Sequence, residues 1–170
     1  MKTKHHILLF LTCFLVLSVF SQTTDVVQFV ENKGQWDSRV RYMAQVPGGA
    51  VFVQSSGFSI VQHHPEDYQV LEDMVHGHED PRHDGKQGVE RRQRLVLRSH
   101  AYRVHFVNGN PSPRITADKP MEGYNNYFIG NDPSKWATGV RIFQGITLHD
   151  VYPNIDARYY SDNGLMKYDL

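Results

Sequence analysis

The stretch that decides the fold is "RVRYMAQVPGGAVFVQSSGFSIVQ", residues 39–62. Apolar side chains recur there with a period of two, which is typical of strands with one face toward a core: Val40, Tyr42 and Ala44. The "PGG" at residues 47–49 and the "SSG" at residues 55–57 are turn signals between the apolar runs. The stretch therefore predicts a meander of antiparallel strands.

The same pattern continues toward the C-terminus. Tyr102, Val104 and Phe106 alternate with more polar residues, which predicts a half-buried antiparallel strand. Asn163-Gly164 is a strong hairpin signal between "ARYYSD" and "LMKYDL". These patterns predict a mainly β fold, an antiparallel β-sandwich-like module. Because Leu170 falls in an apparent strand, we expect the module to be incomplete at its C-terminus.

The N-terminus has the pattern of a secretory signal peptide over residues 1–21. Two lysines precede the apolar run "ILLFLTCFLVLSVF", and cleavage is expected after Ser21. The alternative is an uncleaved membrane anchor, but the run is shorter than the roughly 20 residues that a spanning helix needs. We therefore expect a secreted protein, extracellular or on the outer cell surface, with no membrane span after cleavage. Cleavage also removes Cys13, the one cysteine, so the mature chain has no disulfide.

Composition excludes some classes of partner. The chain has 18 basic and 18 acidic side chains, so long-range attraction to nucleic acid is not expected. Hydrophobic residues make up 40% of the chain, which is an ordinary globular balance. One domain, residues 22–170, is expected after the signal peptide.

Residues 63–94 form a polar, histidine-rich span that we predict to be a long loop insertion. A short helix is expected near its start, over residues 66–75. Pairs of imidazoles suit Zn²⁺ or Cu²⁺, so the candidate metal ligands are His63, His64, His76, His78 and His83. The alternative is a solvated loop that is merely rich in histidine, since an HExxH motif is absent. No cofactor is expected.

The segment "NYFIGNDPSKW", residues 126–136, has the chemistry of a rigid turn. The turn residues are Gly130, Asn131, Asp132 and Pro133, with Asn163 and Gly164 forming the later hairpin turn. Trp136 is expected to anchor the first turn onto the sheet. Exposed aromatic rings can also stack on sugars, so Trp36 and Trp136 are candidate glycan-binding residues.

Carboxylates offer a further possible site. Extracellular β modules can bind Ca²⁺ through loop carboxylates, and the candidates are Asp132, Asp150, Asp156 and Asp162. Turn formation is the simpler explanation for two of them, Asp132 and Asp162. The chain has no GxSxG motif and no cysteine after the signal peptide, so we do not expect an enzyme.

Several stretches together carry a family resemblance: "FVENKGQW" at 29–36, "VPGGAVFV" at 46–53, "HAYRVHFVNGNP" at 100–111, "NYFIGNDPSKWATGVRIFQGITLHDVYPNIDARYY" at 126–160 and "GLMKYDL" at 164–170. The chain resembles the uncharacterised N-terminal module of large secreted proteins of gliding Gram-negative bacteria. Those proteins often carry SBBP-type β-propeller repeats, PKD or Ig-like domains and a type IX sorting domain. The resemblance covers most of residues 29–170, apart from the histidine-rich span.

This resemblance implies a structural or adhesive role without catalysis. The expected partners are downstream repeat domains of the same chain, which the module would brace or present, and surface glycans or adhesin partners. Two alternatives remain open from the residues themselves: a carbohydrate-binding module and a histidine-rich metal-binding surface protein.

Overall fold

A computed structural model describes residues 26–76 and 96–170. The predicted signal peptide, residues 1–21, lies outside the described residues, and so does most of the histidine-rich span. Within the described ranges no helix is long and apolar enough to cross a membrane. The strands of the described part are β1 (Phe29–Glu31), β2 (Val40–Val46), β3 (Gly49–Gln54), β4 (Gly57–His63), β5 (Ser99–His105), β6 (Arg114–Pro120), β7 (Asn125–Tyr127), β8 (Ala137–Val140), β9 (Ile142–Tyr152), β10 (Ile155–Asp162) and β11 (Leu165–Asp169). The helices there are α1 (Pro65–His76) and a 3₁₀ turn (Pro133–Lys135).

Nine of these described strands form one antiparallel sheet in the order β11-β10-β9-β1-β2-β3-β4-β5, with β6 paired to β9, while β7 and β8 form a separate pair. The predicted meander is present, because β2, β3 and β4 follow one another through short turns. β9 is the hub of the sheet, since β1, β6 and β10 all pair with it. The mainly β, antiparallel fold class is therefore confirmed.

The sheet curls so that its two branches face each other. Phe58 on β4 lies far from β10 and β11 in strand order, yet its ring centroid is 5.8 Å from that of Tyr159 and 5.0 Å from that of Tyr168. The sandwich-like layering thus comes from one curled sheet, where two separate sheets would be the usual arrangement. Strand twist favours such curling, because each strand is rotated relative to its neighbour.

The interior between the branches is apolar. Burial of this side-chain surface is the main favourable contribution to folding. The main cluster contains Val27, Phe29, Ala44, Val51, Val53, Phe58, Phe106, Phe143, Ile146, Leu148, Val151, Ala157 and Tyr159. A smaller cluster lies between the sheet and the β7–β8 pair, and consists of Val30, Ala137, Val140 and Ile142 with Trp36, Met121 and Tyr127 against them.

Helix α1 opens the histidine-rich span, where the sequence predicts a helix over residues 66–75. Proline at its first position and acids in the first turn favour this start. Asp67 links the helix to Arg98, the residue before β5. Its carboxylate accepts hydrogen bonds from the Arg98 backbone N–H at 2.9 Å and from the Arg98 guanidinium at 2.8 Å. These bonds with Arg98 hold the pKa of the Asp67 carboxyl well below its usual range.

β5 differs from the prediction of a half-buried strand. Of its seven residues only Val104 is partly buried, and Tyr102 is exposed. The reason is topological, because β5 is the last strand of its branch and pairs only with β4 among the described strands. Phe106, one residue beyond β5, does enter the core.

Candidate functional site

The strands β6, β9 and β10 present a polar surface on the side opposite the core. Ile146, Leu148 and Tyr159 point inward, so the residues that alternate with them point outward. We call this surface the outer polar face, and define it by Arg114, Thr116, Asp118, Gly145, Thr147, His149, Asp156, Arg158 and Tyr160. It brings hydroxyl, imidazole, carboxylate and guanidinium side chains together on one surface.

Antiparallel pairing sets these residues in rows across the three strands. The central row consists of Thr116, Thr147 and Arg158. The row on one side of it consists of Asp118, Gly145 and Tyr160. On the other side Arg114 lies opposite His149, and a bulge in β10 brings Asp156 beside that histidine. Directly opposed side chains in such rows are within contact distance.

One continuous hydrogen-bonded chain crosses all three strands. Thr116 Oγ1 lies 2.7 Å from His149 Nε2, and His149 Nδ1 lies 2.9 Å from Asp156 Oδ2. The other carboxylate oxygen of Asp156 accepts the backbone N–H of Asp150 at 2.8 Å. That backbone hydrogen bond, together with the contact to His149, holds the pKa of Asp156 below its usual range. Asp156 is therefore an anionic acceptor at neutral pH.

A second cluster lies at the other end of the face. Arg158 donates a hydrogen bond to Asp118 Oδ2 at 3.2 Å, and its guanidinium carbon lies 5.6 Å from the centre of the Tyr160 ring. Gly145 makes room for Asp118, because a Cβ at that position would overlap the aspartate's Oδ1 atom. Asp118, Arg158 and Tyr160 border a depression of about 220 Å³ whose rim includes Lys119. The depression is polar, small and open to solvent.

Where the structure describes their side chains, the candidate metal ligands contact other residues. His63 Nδ1 pairs with Ser99 Oγ at 2.8 Å, and its ring stacks on Tyr68. His64 Nδ1 lies 3.2 Å from the Arg98 guanidinium. His76 ends helix α1, and His78 and His83 lie outside the described residues. Residues 26–76 and 96–170 hold no group of three or more metal-binding side chains.

The four candidate calcium ligands lie in three places of the described structure, and no three of them come together. Asp132 accepts the Ser134 backbone N–H at 3.1 Å and caps the 3₁₀ turn. Asp162 contacts Lys167 beside the β10–β11 turn. Asp150 and Asp156 are neighbours, but the Asp156 carboxylate is occupied by His149 and by the Asp150 backbone.

The turn residues named from the sequence have the backbone of turns. Gly130, Asn163 and Gly164 all have positive φ, at 77°, 51° and 76°. The last two join β10 to β11 as a two-residue loop, which requires positive φ at both central positions. Pro133 is at the start of the 3₁₀ turn, directly after the capping aspartate, and Asn131 precedes that aspartate.

The two tryptophans have different surroundings. Trp36 is partly buried in the smaller apolar cluster, with its ring centroid 5.5 Å from that of Tyr127. Trp136 is 44% exposed and Phe128 is 59% exposed, and their ring centroids lie 5.8 Å apart in an edge-to-face arrangement. Its indole N–H also donates to the carbonyl of Gly130 at 3.2 Å. Trp136 thus closes its own loop, and its ring and that of Phe128 are both accessible to a ligand.

Replacing Trp136 with alanine is expected to lower the free energy of unfolding by about 1 kcal/mol, since one hydrogen bond and one edge-to-face contact are lost. Chemical denaturation of wild type and variant measures the difference. Trp136→Phe is the matched control, because it keeps the ring contact with Phe128 and loses only the N–H bond, so it should lie between them. An unchanged midpoint for Trp136→Ala would show that the loop does not depend on this side chain.

The outer polar face is the feature that sequence reasoning missed. Its signal is the alternation of polar with apolar residues in "RITAD", "GITLH" and "DARYY". That alternation predicts a solvent face for each strand. It does not predict that Thr116, His149 and Asp156 meet, because β6 pairs with β9 across an intervening pair of strands.

Comparison with known proteins places the chain in a family. No curated protein and no solved structure matches it significantly. Residues 29–170 match a domain of unknown function, DUF7948. The match covers all eleven strands and both helices described above, including every residue of the outer polar face. The chain therefore belongs to the DUF7948 domain family.

Proposed function

We propose that this chain is a structural or adhesive module of a secreted protein, extracellular or on the outer cell surface, and that it braces or presents further domains of a larger polypeptide. The observation that carries the proposal is the single curled sheet. Its two branches close over one apolar core through Phe58, Tyr159 and Tyr168, which makes a stiff unit without disulfides after Ser21. A module of that kind suits a load-bearing or spacing role.

The edge of the sheet offers a place for a neighbouring domain to dock. β11 is the outermost strand of its branch, and Leu165 and Tyr168 on it are 58% and 41% exposed. Exposed edge strands with apolar side chains are usually covered in native assemblies. A following domain that packs along β11 would cover these residues and be held at a fixed angle to the module.

The resemblance to N-terminal modules of gliding-motility-associated proteins gives the proposal its finer form. Such proteins place SBBP-type repeats, PKD or Ig-like domains after the module, and a type IX sorting domain at the end. We propose the same arrangement for the polypeptide that contains this chain. The signal-peptide pattern of residues 1–21 supports export.

The experiment is to identify the native polypeptide in separated cell-surface, medium and cytoplasmic fractions with an antibody against the folded module, and to measure its intact mass. We expect a surface or medium polypeptide well above 19.6 kDa, whose tryptic peptides include residues of this chain without residues 1–21. A species of lower mass than 19.6 kDa would rule out the bracing role, because no further domain would be present to brace. Recovery in the cytoplasm with an intact N-terminus would contradict export.

A second candidate function is carbohydrate binding by the exposed ring pair of Trp136 and Phe128. Both rings are more than two-fifths exposed and lie at the base of the loop between β7 and β8, where the loop leaves the paired strands. Aromatic rings present flat apolar surfaces that can pack on sugar rings. Trp36 is a weaker candidate, because Tyr127 covers part of it. Glycan arrays should then show binding that Trp136→Ala abolishes, and equal binding by both proteins would exclude this site.

A further inference from the structure

We propose that Thr116 is a reactive nucleophile that accepts an acyl group from an activated carboxylic ester at the outer polar face. This property goes beyond the structural role proposed above and does not depend on it. A module that braces other domains can carry a reactive hydroxyl or lack one, so the two proposals fail separately.

The geometry is that of a nucleophile, a base and an orienting carboxylate. Asp156 can only accept hydrogen bonds, so the Nδ1 of His149, 2.9 Å away, carries the proton. In the neutral ring Nε2 is then the acceptor, and it lies 2.7 Å from Thr116 Oγ1. The threonine hydroxyl therefore donates to Nε2. This order of roles defines hydroxyl activation, whatever fold carries it.

The three side chains are held by rigid elements. They lie on β6, on β9 and at the start of β10, and those strands are paired in one sheet. Asp156 is further fixed by the backbone N–H of Asp150 at 2.8 Å. Reactive groups on paired strands keep their geometry better than groups on loops, which reduces the reorganisation needed before reaction.

Access to the hydroxyl is open. Thr116 is exposed, while the His149 side chain is 23% exposed and lies beneath the approach to it. Arg114 lies directly opposite His149 in the pairing of β6 with β9, and its positive charge helps to keep the pKa of Asp156 below its usual range. An open face suits an activated ester of a small acyl group, because a long acyl chain would need a lined pocket.

The reaction forms one bond and breaks one. Thr116 Oγ1 attacks the ester carbonyl carbon, and its proton passes to His149 Nε2. The carbon–oxygen bond to the alcohol then breaks, and the departing alkoxide takes the proton from Nε2. The products are acyl-Thr116 and the free alcohol. Water can later hydrolyse the acyl group by the same path, with His149 taking a proton from the water.

The test uses the folded secreted chain with p-nitrophenyl acetate at neutral pH, following nitrophenolate release and mapping acetylated peptides by mass spectrometry. We expect either an acetyl group on Thr116 or continuing release that requires Thr116; both support the proposal. Thr116→Val abolishes the acetylation or release that depends on Thr116, and Thr116→Ser keeps it. His149→Ala lowers its rate by about 100-fold, the usual contribution of a general base.

Thr147→Val is the matched control. Thr147 lies opposite Thr116 in the same row and makes no side-chain hydrogen bond within the described part of the chain, so its loss should leave the rate unchanged. Asp156 acts through His149, so Asp156→Asn should lower the maximal rate without changing the ester concentration that gives half of it. Circular dichroism verifies that each variant is folded.

The following results would contradict a nucleophilic role for Thr116. If folded Thr116→Val releases nitrophenolate as fast as wild type, and acetyl groups fall on the same lysines and histidines in both, Thr116 is not a nucleophile. If Thr116→Val does not fold, comparison of Thr116→Ser with His149→Ala decides. Equal rates in wild type, Thr116→Ser and His149→Ala would overturn the proposal.

Discussion

Replacing Tyr159 with alanine is expected to lower the free energy of unfolding by about 3–5 kcal/mol, as for other large buried aromatics. Tyr159 is fully buried on β10 and is the largest side chain of the core without exposure. Its ring lies between the two branches of the curled sheet, 5.8 Å from Phe58 and 5.9 Å from Tyr168. Removing it leaves a cavity at the place where the branches meet. Urea denaturation followed by far-ultraviolet circular dichroism measures the loss.

Tyr159→Phe is the control that separates ring packing from the hydroxyl. The Tyr159 hydroxyl is buried and has no hydrogen-bond partner among the described residues. Because an unpaired buried polar group costs free energy, the phenylalanine variant should be more stable than wild type by about 1 kcal/mol. A loss of stability in Tyr159→Phe would show that the hydroxyl is paired after all. A loss below about 1 kcal/mol in Tyr159→Ala would show that the ring is not between packed layers.

Tyr159 also sets an alkaline limit on stability. Burial raises the pKa of its hydroxyl, because the charged phenolate is disfavoured in the core. The free energy of unfolding does not depend on this titration below the unfolded pKa of about 10. It falls as the pH rises from there through the higher folded pKa, because the unfolded chain ionises first. Wild type should therefore lose stability above that pH more steeply than Tyr159→Phe.

Replacing Gly57 with alanine is expected to cost about 3 kcal/mol, the second largest effect, because backbone strain and steric overlap add. Gly57 begins β4 with a φ of +138°, a conformation that L residues rarely adopt. A Cβ there would lie 3.0 Å from the carbonyl carbon of Val104 and closer still to its oxygen. The obstacle is the backbone of β5, which cannot move without breaking its pairing with β4.

Gly130→Ala is the matched control for the backbone strain alone. Gly130 has a φ of +77°, and a Cβ added there would have no atom within 4 Å, so alanine meets strain without overlap. The loss of stability should be about 1 kcal/mol, the usual penalty for a left-handed conformation. Thermal unfolding of both variants compares them. Equal losses at the two positions would show that β5 does not lie against Gly57.

The meander was predictable because its signals are local. Alternation in residues 39–62 and the two turn signals place β2, β3 and β4 next to one another, and Asn163-Gly164 does the same for β10 and β11. The central role of β9 was not predictable in this way. Its partners β1 and β6 are distant in sequence, and no local pattern states which distant strands pair.

In the candidate site, too, local contacts were predictable and contacts between distant strands were not. The cap of the 3₁₀ turn by Asp132 follows from chemistry within three residues, which sequence reasoning can reach. The contact of Thr116 with His149 depends on the register of β6 against β9, and a shift of β6 by one residue would turn the Thr116 side chain toward the core, away from His149. The exposure of Trp136 depends on how its loop sits on the fold, so the pairing with Phe128 could not be predicted from local sequence.

A nuclear Overhauser experiment on the aromatic rings tests most directly whether one curled sheet closes on itself. With ring centroids 5.0 Å and 5.8 Å apart, Phe58 should show cross-peaks to both Tyr168 and Tyr159. These contacts join strands at opposite branches of the sheet, so no flat arrangement produces them. Cross-peaks from Phe58 only to residues of β3, β4 and β5 would show that the branches do not pack together, and would contradict the stiff module proposed for this chain.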